Sequence, residues 1–132
     1  MNDARRVGKA LRRRLESTVR RVMLGVHAEL LHATPVDTGW ARTNWVPNVG
    51  SPFEGTAGSR EAAEAGRLDR APQETGIAAL RDYRLEQGDV HDTNNVPYIE
   101  LLNAGSSRQA PPAFVQASIV RGIERAGARR TE

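Results

Sequence analysis

The chain contains no cysteine. That single absence removes disulfide staples, thiolate metal sites and a cysteine nucleophile together. Lysine is nearly missing as well, with Lys9 alone among many arginines. The phosphate-cradling pattern G-x-x-x-x-G-K-[ST] is therefore absent, and Lys9 itself falls within a helical pattern. Aromatic residues make up only 5% of the chain, two each of Trp, Tyr and Phe. No apolar run approaches the roughly 20 residues that span a bilayer, and no leader-like charged start, apolar centre and small-residue cleavage site is visible. These absences lead to the expectation of a protein without membrane contact or cofactor that folds in a cytoplasm.

What is present fits one domain, 1–132, with a single modest core. At 39% hydrophobic residues the balance is polar enough to expect part of the burial from neighbouring subunits. The net charge is only +3, but it is unevenly spread. Arg5, Arg6, Lys9, Arg12, Arg13, Arg14, Arg20 and Arg21 face only Asp3 and Glu16 in the first stretch. Such an excess meets phosphates, an acidic protein surface or water. Arg5, Arg6, Arg12, Arg13 and Arg20 are the candidates for contact with DNA or an acidic partner.

Periodicity predicts a long helix from Val7 to about Ala33, with Leu11, Leu15, Val19, Val22, Val26 and Leu30 on one stripe. Gly25 within it suggests a close approach or slight bend, and Pro35 stops it at Thr34. Asp37, Thr38 and Gly39 then read as a tight turn. Trp40 to Val46 alternates like a strand, holding both tryptophans, Trp40 and Trp45. The stretch 50–66 is rich in Gly, Ser, Ala and Glu and reads as a loop, mobile before assembly, with one helical turn around Ala62 to Ala65. A short helix follows from Pro72, and Leu85 to Asp92 reads as a second strand. Asn94 to Phe114 is a stiff, punctuated segment. It comprises an Asn-Asn turn, Pro97, a helical turn with Tyr98, Leu101 and Leu102, the Gly105-Ser106-Ser107 break and the Pro111-Pro112 pair. Phe114, Val115, Ile119 and Ile123 open a last helix, with 127–132 as a frayed tail.

Reaction chemistry is thin. His27 and His32 are five apart on the first helix, unlike a zinc pair at four. His91 with Asp89 and Asp92 forms a small acid–base cluster, or simply a solvated strand end. Ser106 and Ser107 follow a glycine without the G-x-S-x-G elbow, so bonding backbone amides at the break is their simpler role. No enzyme is expected. A nucleic-acid-binding module is the competing reading, carried by the arginine-rich first helix.

Two segments together resemble the tail-completion, or neck, proteins of long-tailed bacteriophages, the minor tail protein Z-like group related to lambdoid putative tail components. They are T-P-V-D-T-G-W-A-R-T-N-W from Thr34 to Trp45 and N-N-V-P-Y-I-E-L-L-N-A-G-S-S-R-Q-A-P from Asn94 to Pro111. The order of elements around them is similar too. The resemblance implies an α+β fold, with a long N-terminal helix and a C-terminal helix packed on a small antiparallel sheet. It further implies a long loop between the first and later strands, and a virion protein assembled in the bacterial cytoplasm. At the head–tail junction it would complete the head-proximal end of the tail. It would do so as a homo-oligomeric ring around the DNA channel, a hexamer favoured over a dodecamer. Its implied neighbours are the connector or stopper and the tail terminator or tail tube, with passing contact to genomic DNA. Asp37, Thr38, Gly39 and Trp45 match the first motif. Asn95, Pro97, Tyr98, Asn103, Gly105, Ser106, Gln109 and Pro111 match the second. For all of them, with Trp40, structural or interface roles are implied.

Overall fold

The computed structural model describes residues 2–130, with side chains through residue 128. The chain is mixed α+β and helix-rich: a long N-terminal helix, a C-terminal helix and a small two-stranded antiparallel sheet. Helix α1, Asn2–Ala33, has 32 residues and measures about 48 Å at 1.5 Å per residue. Its two halves differ. Residues 2–15 are exposed, including Val7, Leu11 and Leu15, whereas Glu16, Val26, His27 and Leu30 are buried. The predicted apolar stripe is thus covered only in its second half, because α6 (Phe114–Arg130) lies along that half alone.

The α1–α6 contact runs in opposite directions along the two helices. Ser118 Oγ reaches the Glu29 carbonyl at 3.5 Å, and Gly122 lies against Gly25 and Val26. A Cβ on Gly122 would sit 2.5 Å from the Val26 backbone and one on Gly25 3.0 Å from the Gly122 carbonyl, so the helices approach closely because both positions are glycine. That is the close approach expected at Gly25. The last helix continues through 127 to Arg130, which corrects the expected frayed tail over that span; residues 131–132 lie outside the described residues.

After α1 the chain departs from expectation. Trp40 to Val46 is not a strand: Trp40–Thr43 forms a one-turn helix, α2, and strand β1 is Val46–Val49. The reason is local hydrogen bonding. Gly39 reverses the backbone at φ +87°, and the Thr38 hydroxyl accepts the Trp40 N–H at 3.2 Å. Thr43 Oγ1 then donates to the Gly39 carbonyl at 2.6 Å, and Asn44 Nδ2 to the Trp40 carbonyl at 2.8 Å. These bonds close a helical turn that alternation cannot reveal. Both tryptophans are buried. Trp45 joins Val26 and Leu30, while Trp40 joins Ala63 and Val96 in a separate cluster.

The second strand, β2, is Val90–Thr93 and is also shorter than expected. It pairs antiparallel with β1, Val46 opposite Thr93 and Val49 opposite Val90. Leu85–Gln87 instead makes a 3-10 turn docked on α1: the Leu85 N–H donates to buried Glu16 at 2.9 Å, and Arg12 pairs with Glu86 at 2.8 Å. Within the 50–66 stretch, Arg60–Glu64 forms the short helix α3, capped by Ser59 Oγ accepting the Ala62 N–H at 3.0 Å. The predicted turn around Ala62 is therefore present. Helix α4, Ala71–Arg81, starts with Pro72 near its first turn and packs on β1. Helix α5, Ile99–Asn103, carries Leu101 at 63% exposure, so Leu101 does not anchor its segment to the body. Phe114, at 0%, does.

The glycine crossing gives a direct test. Gly122→Ala is expected to cost about 1–3 kcal/mol through overpacking. Gly127→Ala, with nothing within 4 Å of its Cβ, is expected to gain up to about 1 kcal/mol in helix propensity. Urea unfolding of the two variants measures the contrast.

Candidate functional site

The two motif segments, distant in sequence, face each other across one cleft of about 390 Å³. Pro35, Asp37, Thr38, Gly39, Trp40 and Ala41 form one wall. Tyr98, Leu102, Ser107 and Gln109 form the other, and Arg60 and Glu64 of α3 complete the rim. Polar stitches fix the walls. The Val36 N–H donates to Gln109 Oε1 at 2.9 Å, and Asn94 Nδ2 donates to the Ala41 carbonyl at 2.8 Å. The Trp40 and Tyr98 rings lie 6.0 Å apart at 52°, an attractive tilted aromatic pair. Ser107 Oγ accepts the Gln109 N–H at 3.1 Å, the backbone-bonding role expected at that break.

The cleft has an aromatic floor and both signs of charge at its edge. The indole N–H of Trp40 is buried and meets no acceptor among the described residues. The Arg60 guanidinium stands 6.0 Å from the Tyr98 ring centre. Burial pushes the Tyr98 phenol above its ordinary pKa; Arg60 opposes the shift, and Asp37 and Glu64 add to it. Tyr98 is therefore a neutral phenol at physiological pH, with its O–H available as a donor.

Other motif residues hold the backbone away from the cleft. Asn95 Nδ2 donates to the Phe53 and Gly55 carbonyls at 2.8 and 2.9 Å, and buried Asn44 bonds Ala57 through both its amide groups. The stretch expected to be a mobile loop is thus tied down at two places. Asn103 Oδ1 accepts the Val115 N–H at 2.9 Å and so caps the start of α6. Gly105 adopts φ +99°, and a Cβ there would meet Pro112 at 2.7 Å. Trp45 is in the core, its indole N–H donating to Thr34 Oγ1 at 2.8 Å. Pro97, Ser106 and Pro111 are exposed and do not line the cleft.

The arginines of α1 divide into two sets. Arg12 is paired with Glu86, and Arg20 donates to the Tyr83 carbonyl, so both help dock the 83–86 turn. Arg5, Arg6 and Arg13 are exposed on the uncovered half, and Arg13, Arg14 and Arg21 border a shallow groove.

Sequence reading missed one pair. His27 Nδ1 and Asp92 Oδ2 are 2.7 Å apart, with side chains only 4% and 5% exposed. Asp92 does not cluster with His91, because adjacent strand residues point to opposite faces. His32 is exposed on α1 and takes no part. No group of three or more metal-ligating side chains is found among the described residues, and no helix of these residues is long and apolar enough to cross a membrane. The chain matches no family model, no curated protein and no solved structure.

The Tyr98 shift has a sign that titration can read. The Tyr98 ¹³Cζ resonance is expected to titrate with a midpoint above about 10, and Arg60→Gln should raise it further. Since the folded value exceeds the unfolded one, the stability that Tyr98 contributes is complete below the unfolded pKa. It is lost as pH rises through the folded value. A midpoint at or below that of free tyrosine contradicts a buried phenol.

Proposed function

We propose that the protein is a virion structural subunit at the head–tail junction of a long-tailed bacteriophage. There it forms part of a ring around the DNA channel, completes the head-proximal end of the tail and joins it to the connector. The observation carrying this reading is the convergence of the two neck-like segments on one cleft. Of the residues that match that family's motifs, Asp37, Thr38, Gly39, Tyr98 and Gln109 line the cleft and Asn95 and Asn103 fix nearby backbone, while Pro97, Ser106 and Pro111 lie exposed outside it. Its aromatic floor, unpartnered indole N–H and mixed-charge rim suit a protein contact, where aromatic and arginine side chains concentrate. Exposed apolar side chains on α1 (Val7, Leu11, Leu15) and on α6 (Val120, Ile123) offer further surface for neighbouring subunits.

In this proposal the ring is a hexamer, closed through heterologous contacts between copies. The cleft receives a segment of an adjacent ring component: the connector or stopper on one side, or the terminator or tube on the other. Tyr98 stands where such a segment would pack, so Tyr98→Ala is expected to lower the yield of joined, tailed particles when it replaces the natural chain. It should leave heads and tails separately intact. Full yield of joined particles would remove the cleft from the assembly contact.

A second reading is favoured by one specific observation, the exposed basic half of α1. Residues 2–15 extend about 21 Å and hold Arg5, Arg6 and Arg13 in solvent. As a nucleic-acid contact they would release counterions, each phosphate neutralised adding about 0.9 to the log–log salt slope. Duplex DNA titrated with the protein at several salt concentrations separates the readings. Steep salt dependence, reduced in an Arg5→Gln, Arg6→Gln, Arg13→Gln variant, supports DNA contact by this half-helix. Absence of binding at low salt removes the DNA reading and leaves these arginines to an acidic surface or to water.

A further inference from the structure

A second cavity, of about 320 Å³, lies beside the α1–α6 crossing and is separate from the motif cleft. Its lining brings together Arg21 and His27 of α1, Arg81 at the end of α4 and Arg125 of α6. The remainder of the lining is apolar or small, with Leu24, Leu31 and Ile77 the largest, and it contains no carboxylate. Three elements thus direct cationic side chains to one place.

Two of the polar groups there are buried donors or acceptors without a partner among the described residues: Arg21 Nε and His27 Nε2. His27 is the better defined. Its Nδ1 is engaged by Asp92, which does not line this cavity, so the edge bearing Nε2 is the part of the ring left to face it. Asp92 holds the ring orientation and stabilises a proton on Nδ1. With that proton on Nδ1, Nε2 carries the ring's lone pair and accepts from a protonated oxygen of a ligand in the cavity. Arg81 has no acidic partner among the described residues, whereas Arg125 is shared with Glu29 at 3.5 Å. Buried donors left without acceptors are costly.

We propose that this cavity binds a phosphate-class oxyanion. Phosphate suits it better than a carboxylate because donors converge from three elements, α1, α4 and α6, and a tetrahedral set of oxygens meets them from several sides whereas a carboxylate's acceptors lie in one plane. With Asp92 on His27 and Glu29 on Arg125, the charges left without an acidic partner among the described residues are those of Arg21 and Arg81, which match a dianion. The buried Nε2 is screened from water, so the ion enters by displacing the exposed rim side chains Arg81 and Arg125. The same chemistry could be presented by free phosphate or by a phosphate of the DNA backbone.

The test uses the whole chain, titrated with inorganic phosphate at constant ionic strength while the imidazole ¹⁵N resonances of His27 are followed. Expected is saturable binding that moves the His27 Nε2 signal and weakens about tenfold or more in Arg81→Gln, an exposed position whose change should leave the fold intact. Arg21→Gln should weaken it comparably. If phosphate does not saturate, or binds undiminished in Arg81→Gln without moving His27, the proposal fails. Acetate at equal ionic strength is the control for a carboxylate; binding as tight as phosphate's would overturn the phosphate assignment. A short DNA duplex distinguishes the sources. A duplex that moves His27 with the same Arg81 dependence assigns the site to backbone phosphate, and one that leaves it unchanged while phosphate binds assigns it to the free ion.

Discussion

Side-chain amides bonded to backbone hold the middle of this protein. Among the described residues the one sheet pairs Val46–Val49 with Val90–Thr93, so few backbone groups between α1 and α6 are satisfied by a strand ladder. Buried carbonyls and amides still need partners. Asn44, Gln73, Asn94 and Asn103 provide them, and Asn95 and Gln109 bond backbone nearer the surface, each bridging at least a turn away and mostly far along the chain. Gln73 alone reaches the Arg42 and Trp45 carbonyls from α4. These bonds, with the Trp40–Ala63–Val96 cluster, tie α2, the 50–59 stretch and the start of α6 to one another. The cleft exists because they do.

This arrangement sets the character of the surface. Two small apolar clusters, one around each tryptophan, provide part of the burial, with Phe114, Leu80 and Val46 buried outside them. Around them, α1 and α6 meet through glycines, leaving the outer faces of both helices uncovered. A subunit built this way suits an assembly in which neighbours complete what one chain leaves exposed. The proposed neck role is consistent with that economy of core, and the oxyanion cavity would add a charged site beside the same helix crossing.

The sequence made the long elements legible and hid the short ones. Periodicity located α1, α4 and α6, and Gly25 signalled the close helix approach, because these depend on local composition and spacing. The tryptophan segment was misread because alternation over Trp40 to Val46 cannot show that Thr38, Thr43 and Asn44 hydrogen-bond a helical turn into place. The stripe Val7, Leu11, Leu15 looked like core, yet among the described residues the 85–87 turn meets that half of α1 only through Arg12 and leaves the stripe exposed. The His27–Asp92 pair was invisible for a different reason. Its members are 65 residues apart, and only the register of β2 against α1 brings them together. Of the cleft, the membership of the two motifs was readable; that they face each other, joined through Gln109 and Asn94, required the fold.

In the proposed role this chain is a component of the finished particle at its neck. Purified tailed virions, inventoried by mass spectrometry and imaged at the head–tail junction, address it most directly. The expected result is this chain present at six copies per particle, with density for its α1–α6 pair in a ring around the channel. Its absence from virions that are otherwise complete would contradict the claim.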